Sequence, residues 1–151
     1  MYAAIRVRGS VKMAPDAKKT MQLLGMDRVN HLVLVKQSQI PMLQKVRSFT
    51  TFGEIGEETL ALLLEKRARL AGNKKPGEKF LKENKLGSWK ELAKQIIEGK
   101  LILEKLSIKP VFRLGPPKKG YERAGIKKPY SIGGALGYRA SDINKLVLRM
   151  I

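Results

Sequence analysis

The chain begins with residues that alternate between apolar and mostly polar side chains, and it then changes to helical spacing. The alternation over residues 2–8 predicts a half-buried strand with a cationic outer face that ends at Gly9. Apolar residues then recur at spacings of three and four, which predicts a helix from Pro15 to Gly25. The same reasoning predicts three further elements: a buried strand over 31–36, a helix that Ser38 caps, and a strand over 49–55. The first 55 residues therefore predict the order β-α-β-α-β.

The middle of the chain carries the periodicity of helices. Apolar residues on one side of 57–71 predict a helix, and a Pro-Gly pair separates it from a short helix predicted over 78–86. Ser88 followed by Glu91 forms a capping-box pattern, which predicts a further helix that ends at Gly99. This part of the chain is therefore predicted to be a small helical insertion.

The last third returns to extended structure and ends in a helix. Residues 109–114 predict a strand, and Pro110 places it at the edge of a sheet. The stretch 115–140 is rich in Gly, Pro and Lys and has little periodicity, so we expect it to be either disordered or ordered by something that it binds. A final helix, capped by Ser141, is predicted from its apolar stripe of Ile143, Leu146, Val147 and Met150.

Together these elements predict an α+β protein in three parts. The parts are a β-α-β-α-β core with a three-stranded sheet at 1–56, a helical insertion at 57–104, and a basic C-terminal extension at 105–151 that holds a strand, an RNA-contacting loop and the last helix. The net charge of +18 is concentrated in the outer parts: Lys+Arg outnumber acids by 9 to 2 over 1–52 and by 11 to 2 over 105–151, but only by 11 to 9 over 53–104. We expect the outer parts to face a polyanion, of which nucleic acid is the commonest, because each neutralised phosphate releases a condensed counterion.

The residue types exclude most other functions. The chain has no cysteine and no apolar run longer than five residues, which excludes disulfides, cysteine-ligated zinc and a membrane-spanning or secretory segment. The single histidine, His31, has no acidic neighbour in sequence, so a structural role is favoured over catalysis or metal binding. The acids are dispersed and no phosphate-binding loop motif is present. The sequence therefore predicts a protein without catalytic residues, metal, cofactor or small-molecule substrate.

Cations and flexible backbone recur in the predicted loops, and this pattern indicates contact with RNA. Proline restricts the backbone beside exposed lysines, and glycine lets backbone N–H groups approach phosphate oxygens. The alternative for each motif taken singly is a solvated turn or an ordinary wet sheet face. The residues predicted on this basis to contact RNA are Arg6, Arg8, Lys12, Arg28, Lys45, Arg47, Pro116, Pro117, Lys118, Lys119, Gly120, Lys127, Lys128, Gly133, Gly134, Gly137, Tyr138 and Arg139.

Six segments spread over the chain resemble one known family. They are Ile5–Gly9, Leu23–Leu34, Met42–Val46, Phe52–Ile55, Leu114–Gly120 and Gly125–Tyr138. The most specific is the last, GIKKPYSIGGALGY. On these residues the chain resembles the large-subunit ribosomal protein L-thirty family in its longer archaeal and eukaryotic form. It begins directly at the first strand, as the archaeal members do.

The resemblance implies a somewhat ferredoxin-like fold and a role as a non-catalytic component of the large ribosomal subunit in the cytoplasm. It implies large-subunit ribosomal RNA as a partner, with 5S ribosomal RNA and other large-subunit proteins as neighbours. It also adds Met42, Gln44 and Arg113 to the expected RNA contacts. Three alternatives remain open: a free RNA chaperone or regulatory RNA-binding protein, an RNA-modifying enzyme, and a protein that binds an anionic membrane surface.

Overall fold

A computed structural model describes residues 1–77, 80–81 and 87–151. The first part of the chain has the predicted β-α-β-α-β order. Its elements are β1 (Tyr2–Arg6), α1 (Pro15–Leu23), β2 (His31–Val35), α2 (Ile40–Lys45) and β3 (Thr50–Glu54). The remaining α-helices and strands with described bounds are α3 (Glu57–Arg67), α4 (Trp89–Ile97), β4 (Val111–Arg113), β5 (Gly137–Tyr138) and α5 (Ile143–Met150).

The sheet has five strands in the order β4-β2-β1-β3-β5, so the prediction of three strands is wrong. The first three strands pair antiparallel about β1, and each outer edge of that unit is covered by a strand from the C-terminal extension. β4 adds antiparallel to β2, and β5 adds parallel to β3 with Thr51 opposite Gly137. Unpaired backbone groups at both edges are thereby hydrogen-bonded within the chain.

Both faces of the sheet are covered, which contradicts the prediction that the first strand is half exposed. Helices α1 and α2 cover one face, where Ala4 and Phe52 pack with Met21 and Leu43. The insertion and α5 cover the other face. The sequence pattern of β1 shows the alternation of faces, but the second layer comes from residues more than 50 positions away, and local periodicity does not contain it.

The insertion follows its prediction in part. Helix α3 ends at Arg67 and not at residue 71, because Ala68 leaves the helical conformation with ψ of 146°. The Ser88 hydroxyl accepts the N–H of Glu91 at 3.2 Å, as the capping pattern predicts, while the Glu91 carboxylate accepts the N–H of Gly87 at 3.0 Å. The short helix predicted over 78–86 lies mostly outside the described residues.

The C-terminal stretch 115–140 has hydrogen-bond partners within the chain. The N–H of Lys118 donates to the carbonyl of Arg149 at 2.9 Å, and the N–H of Arg139 donates to the carbonyl of Phe52 at 2.9 Å. The apolar stripe of α5 is buried as predicted. Ser141 lies in a 3-10 turn before α5 and does not cap it, so that prediction is wrong.

Candidate nucleic-acid interface

The strand pairing gathers the predicted cations at one end of the sheet. Because β1 runs antiparallel to β2 and β3, the residues that follow β1 lie beside those that precede the other two strands. The antiparallel pairing of β4 brings Arg113 opposite His31 at the same end, and the N–H of Leu114 donates to the carbonyl of Asn30 at 3.0 Å. We call this the basic end, and its cations are Arg8, Lys12, Arg28, Lys45, Arg47, Arg113, Lys118, Lys119, Lys127 and Lys128. All of these side chains are exposed except Arg8, which is half-buried.

An open cleft of about 620 Å³ lies within the basic end. Its lining includes six of the predicted contact residues: Arg8, Gln44, Arg47, Lys127, Gly137 and Tyr138. The guanidinium of Arg8 lies 5.1 Å from the centre of the Phe49 ring and donates to the carbonyl of Ser48 at 3.1 Å. Tyr130 also lines the cleft, and we call it the tyrosine cleft for Tyr130 and Tyr138.

Arg6 is not on an exposed face, contrary to the sequence prediction, since only 3% of it is accessible. Its side chain follows Ala4 toward the α1 and α2 layer and donates to the carbonyls of Met26 and Asp27, both at 2.7 Å, and to the Ser10 hydroxyl at 2.6 Å. Burial lowers the pKa of Arg6, and the charge of Asp27 partly offsets this effect. Arg6 therefore ties together the two loops that carry Lys12 and Arg28.

Arg139, also predicted to contact RNA, is buried as well, and its side chain is 1% exposed. The guanidinium forms a bidentate pair with Glu122 at 2.7 and 3.0 Å, and it donates to the Thr51 hydroxyl at 2.8 Å and the Ala135 carbonyl at 3.0 Å. It also lies 4.5 Å from the centre of the Tyr130 ring. All three guanidinium nitrogens are used inside the protein, so Arg139 joins the C-terminal stretch to β3 and does not face a partner.

Sequence reasoning missed Glu122, which is the acidic centre of this network. Burial by itself raises the pKa of Glu122, but the hydrogen bond from Arg139 and the charges of Arg139 and Arg149 hold it below its ordinary value. The extension has only two acids, Glu122 and Asp142. Asp142 accepts a hydrogen bond from the Tyr130 hydroxyl at 2.9 Å and pairs with Lys145 at 2.7 Å. The signal available in the sequence was therefore the rarity of acids in a strongly basic segment.

Other predicted residues also serve the fold. Pro117 and Gly134 are buried, and a Cβ atom at Gly134 would lie 2.1 Å from the carbonyl oxygen of Lys128. Gly134 is therefore required for a close backbone approach that shapes the loop. Met42 is half-buried and packs against the core. Pro116, Gly120 and Gly133 are exposed.

His31 lies at the start of β2 and forms a hydrogen bond within the chain. Its Nδ1 accepts the N–H of Arg28 at 3.4 Å. Burial lowers the pKa of His31, and the nearby charge of Arg113 lowers it further, which keeps the ring neutral at physiological pH.

Among residues 1–77, 80–81 and 87–151, no three His, Asp or Glu side chains converge as metal ligands would. Within the same ranges no helix has both the length and the apolar character needed to span a bilayer.

The fold and the basic end define a class: a compact α+β protein whose surface cations are displayed together at one end of a mixed sheet. The model of the family described as Ribosomal protein L30p/L7e matches residues 2–49, which run from β1 to the residue before β3. Proteins named large ribosomal subunit protein uL30 are similar over nearly the whole chain. The relative from Methanococcus vannielii is 49% identical over 99% of both chains, the one from Nanoarchaeum equitans is 48% identical over 100% of this chain and 99% of its own, and the one from Hyperthermus butylicus is 43% identical over 100% and 90%.

The chain therefore belongs to the ribosomal protein L30p/L7e family, as its sequence motifs predict. The three relatives are archaeal, which agrees with the archaeal character expected from the sequence. Members of this family are structural proteins, which confirms the prediction that the chain is not an enzyme.

Proposed function

We propose that the protein is a structural constituent of the large ribosomal subunit in the cytoplasm, where it binds and stabilises folded large-subunit ribosomal RNA. The observation that carries this proposal is the gathering of ten cations at the basic end, nine of them exposed. The names of the archaeal relatives support the ribosomal location. Contact with 5S ribosomal RNA and with neighbouring large-subunit proteins is a finer proposal that rests on the family resemblance.

The proposed mechanism is neutralisation of RNA phosphates by cations that the fold holds in place. Double-stranded RNA is recognised mainly by its shape and backbone, because its deep major groove does not admit side chains. Arg8, Arg28, Arg47 and Arg113 offer planar guanidinium groups that suit phosphate oxygens, and the lysines act as point charges. Arg6 and Arg139 fix the loops beside these cations, which lowers the entropy lost on binding.

The buried residues divide the predicted contacts into two groups with different roles. Arg6, Pro117, Gly134 and Arg139 position the loops, and Met42 packs against the core. The residues that we propose to touch RNA are Arg8, Lys12, Arg28, Gln44, Lys45, Arg47, Arg113, Pro116, Lys118, Lys119, Gly120, Lys127, Lys128, Gly133, Gly137 and Tyr138.

The proposed mechanism predicts strong salt dependence. With about six to ten phosphate contacts, affinity for purified large-subunit ribosomal RNA should fall at least about 10³-fold between 50 and 200 mM monovalent salt. Filter binding over a salt series measures this slope, with 5S RNA as a second ligand and small-subunit ribosomal RNA as the specificity control. A shallow slope, or equal affinity for all three RNAs at moderate salt, would argue against a specific RNA contact through the basic end.

A further inference from the structure

We propose that the tyrosine cleft receives one unpaired nucleobase of the bound RNA, with the flanking phosphates on Arg8, Arg47 and Lys127. This inference rests on the proposed RNA-binding function and makes it more specific, because it names the element of RNA structure that the cleft selects. A base that is looped out of a helix presents both a flat apolar face and two nearby phosphates. The cleft presents aromatic rings and cations together.

Tyr138 provides an exposed ring that is already held in place. Tyr138 is 52% exposed. The centre of its ring lies 5.7 Å from the centre of the Phe52 ring. Its hydroxyl donates to the carboxylate of Glu54 at 2.6 Å, and its backbone pairs with β3. The ring therefore has a fixed position, so little side-chain entropy is lost when a base stacks on it.

Tyr130 is restrained in a similar way. Its hydroxyl donates to Asp142 at 2.9 Å, and the Arg139 guanidinium lies against the ring at 4.5 Å. The hydroxyl groups of both tyrosines thus have acidic partners within the protein, and the aromatic surface remains as the feature that the cleft offers. Stacking on such rings accepts any base, since every base has a π-face.

The cations and the size of the cleft fit a nucleotide and not a continuous duplex. Arg8, Arg47 and Lys127 all line the cleft together with the two tyrosines. A volume of about 620 Å³ lies within the range of ligand pockets, roughly 300–1,000 Å³. A paired A-form helix keeps its base faces stacked inside, whereas loops and bulges expose them to aromatic side chains. The cleft is therefore suited to a looped-out nucleotide.

The test compares full-length variants for binding to purified large-subunit ribosomal RNA. Tyr138→Ala should weaken binding about 5- to 150-fold, which corresponds to the loss of one base-stacking contact. Tyr138→Phe and Tyr138→Trp should bind within about threefold of the wild type, because the ring is kept. Leu148→Ala is the matched control, since Leu148 is 50% exposed on α5 and does not line the cleft.

Ultraviolet cross-linking followed by mass spectrometry gives an independent result that does not depend on how well the alanine variant folds. The wild-type protein should carry a nucleotide adduct on the peptide that contains Tyr138, and the cross-linked nucleotide should be unpaired in the RNA. Any of three results would overturn the inference: Tyr138→Ala binds with wild-type affinity, Tyr138→Phe and Tyr138→Ala lose affinity equally, or cross-links form only to paired nucleotides. In each case, salt-dependent binding by the wild type would leave the proposed function in place. Absence of wild-type binding would remove both.

Discussion

Replacing Arg139 by methionine is expected to lower the free energy of unfolding by about 3 kcal/mol. Breaking one side of a buried ion pair typically costs about 3–5 kcal/mol, because the remaining charge stays desolvated. The lower end applies here, since the Glu122 side chain is 20% exposed and retains Arg149 at 3.3 Å. Arg139→Lys should recover only part of the loss, because an ammonium group does not reproduce the bidentate pair or the bonds to Thr51 and Ala135. Chemical denaturation of the purified variants measures these differences.

Arg123→Met is the matched control for this prediction, because Arg123 is an exposed arginine in the same segment. It removes the same charge and should change the unfolding free energy by less than about 0.5 kcal/mol. Equal effects of the two substitutions would show that Arg139 acts only through net charge.

The pH dependence of stability provides a second test of the ion pair between Arg139 and Glu122. Because the folded-state pKa of Glu122 lies below its ordinary 4.5, the stabilisation that the pair supplies is present above about pH 4.5 and is lost as the pH falls through the lower, folded-state pKa. The difference in stability between the wild type and Arg139→Met should therefore shrink in strong acid.

Replacing Lys118, Lys119, Lys127 and Lys128 together by alanine is expected to reduce affinity for large-subunit ribosomal RNA by about 10²–10³-fold near 100 mM salt. Each lysine that neutralises a phosphate contributes about one unit to the salt slope, so the slope should also become shallower by about four. Stability should change little, because all four side chains are exposed. Binding isotherms over a salt series, with thermal melting of each variant, separate the effect on affinity from any effect on folding.

The helical insertion supplies a control with the same change in charge. Lys74, Lys75, Lys90 and Lys94 are exposed, and none of them belongs to the basic end. Their joint replacement by alanine should lower affinity far less, since only long-range attraction is reduced and salt screens it beyond about 10 Å. If both quadruple variants lost affinity equally, the total charge and not the basic end would determine binding.

The elements that the sequence predicts well are those whose signal is local. The alternation in β1, the helical spacing after Pro15 and the apolar stripe of α5 each arise from contacts within one element and its immediate layer. Strand β5 gave no such signal, because it has two residues within a glycine-rich stretch and pairs with a strand more than 80 positions earlier. For this reason, the local periodicity of the sequence does not predict a sheet of five strands.

The candidate interface divides in the same way. The charge of the outer segments identified the exposed cations of the basic end, because charge density does not depend on the details of folding. The burial of Arg6 and Arg139 was not visible, since it depends on carbonyls at Met26 and Ala135 and on a carboxylate 17 positions from Arg139. An arginine whose donors are all satisfied internally looks the same in a sequence as one that faces RNA.

If this protein is a fixed component of the large ribosomal subunit, bound through RNA, it should sediment with that subunit. Sucrose-gradient fractionation of a native cell lysate, with detection of the chain before and after a high-salt wash, tests this proposal. We predict near-stoichiometric presence in the large-subunit fractions that survives the wash, because contacts with the folded RNA and with neighbouring proteins inside the assembly add to the salt-sensitive phosphate contacts. Recovery at the top of the gradient, or release at modest salt, would contradict the claim and favour a free RNA chaperone or regulatory RNA-binding protein.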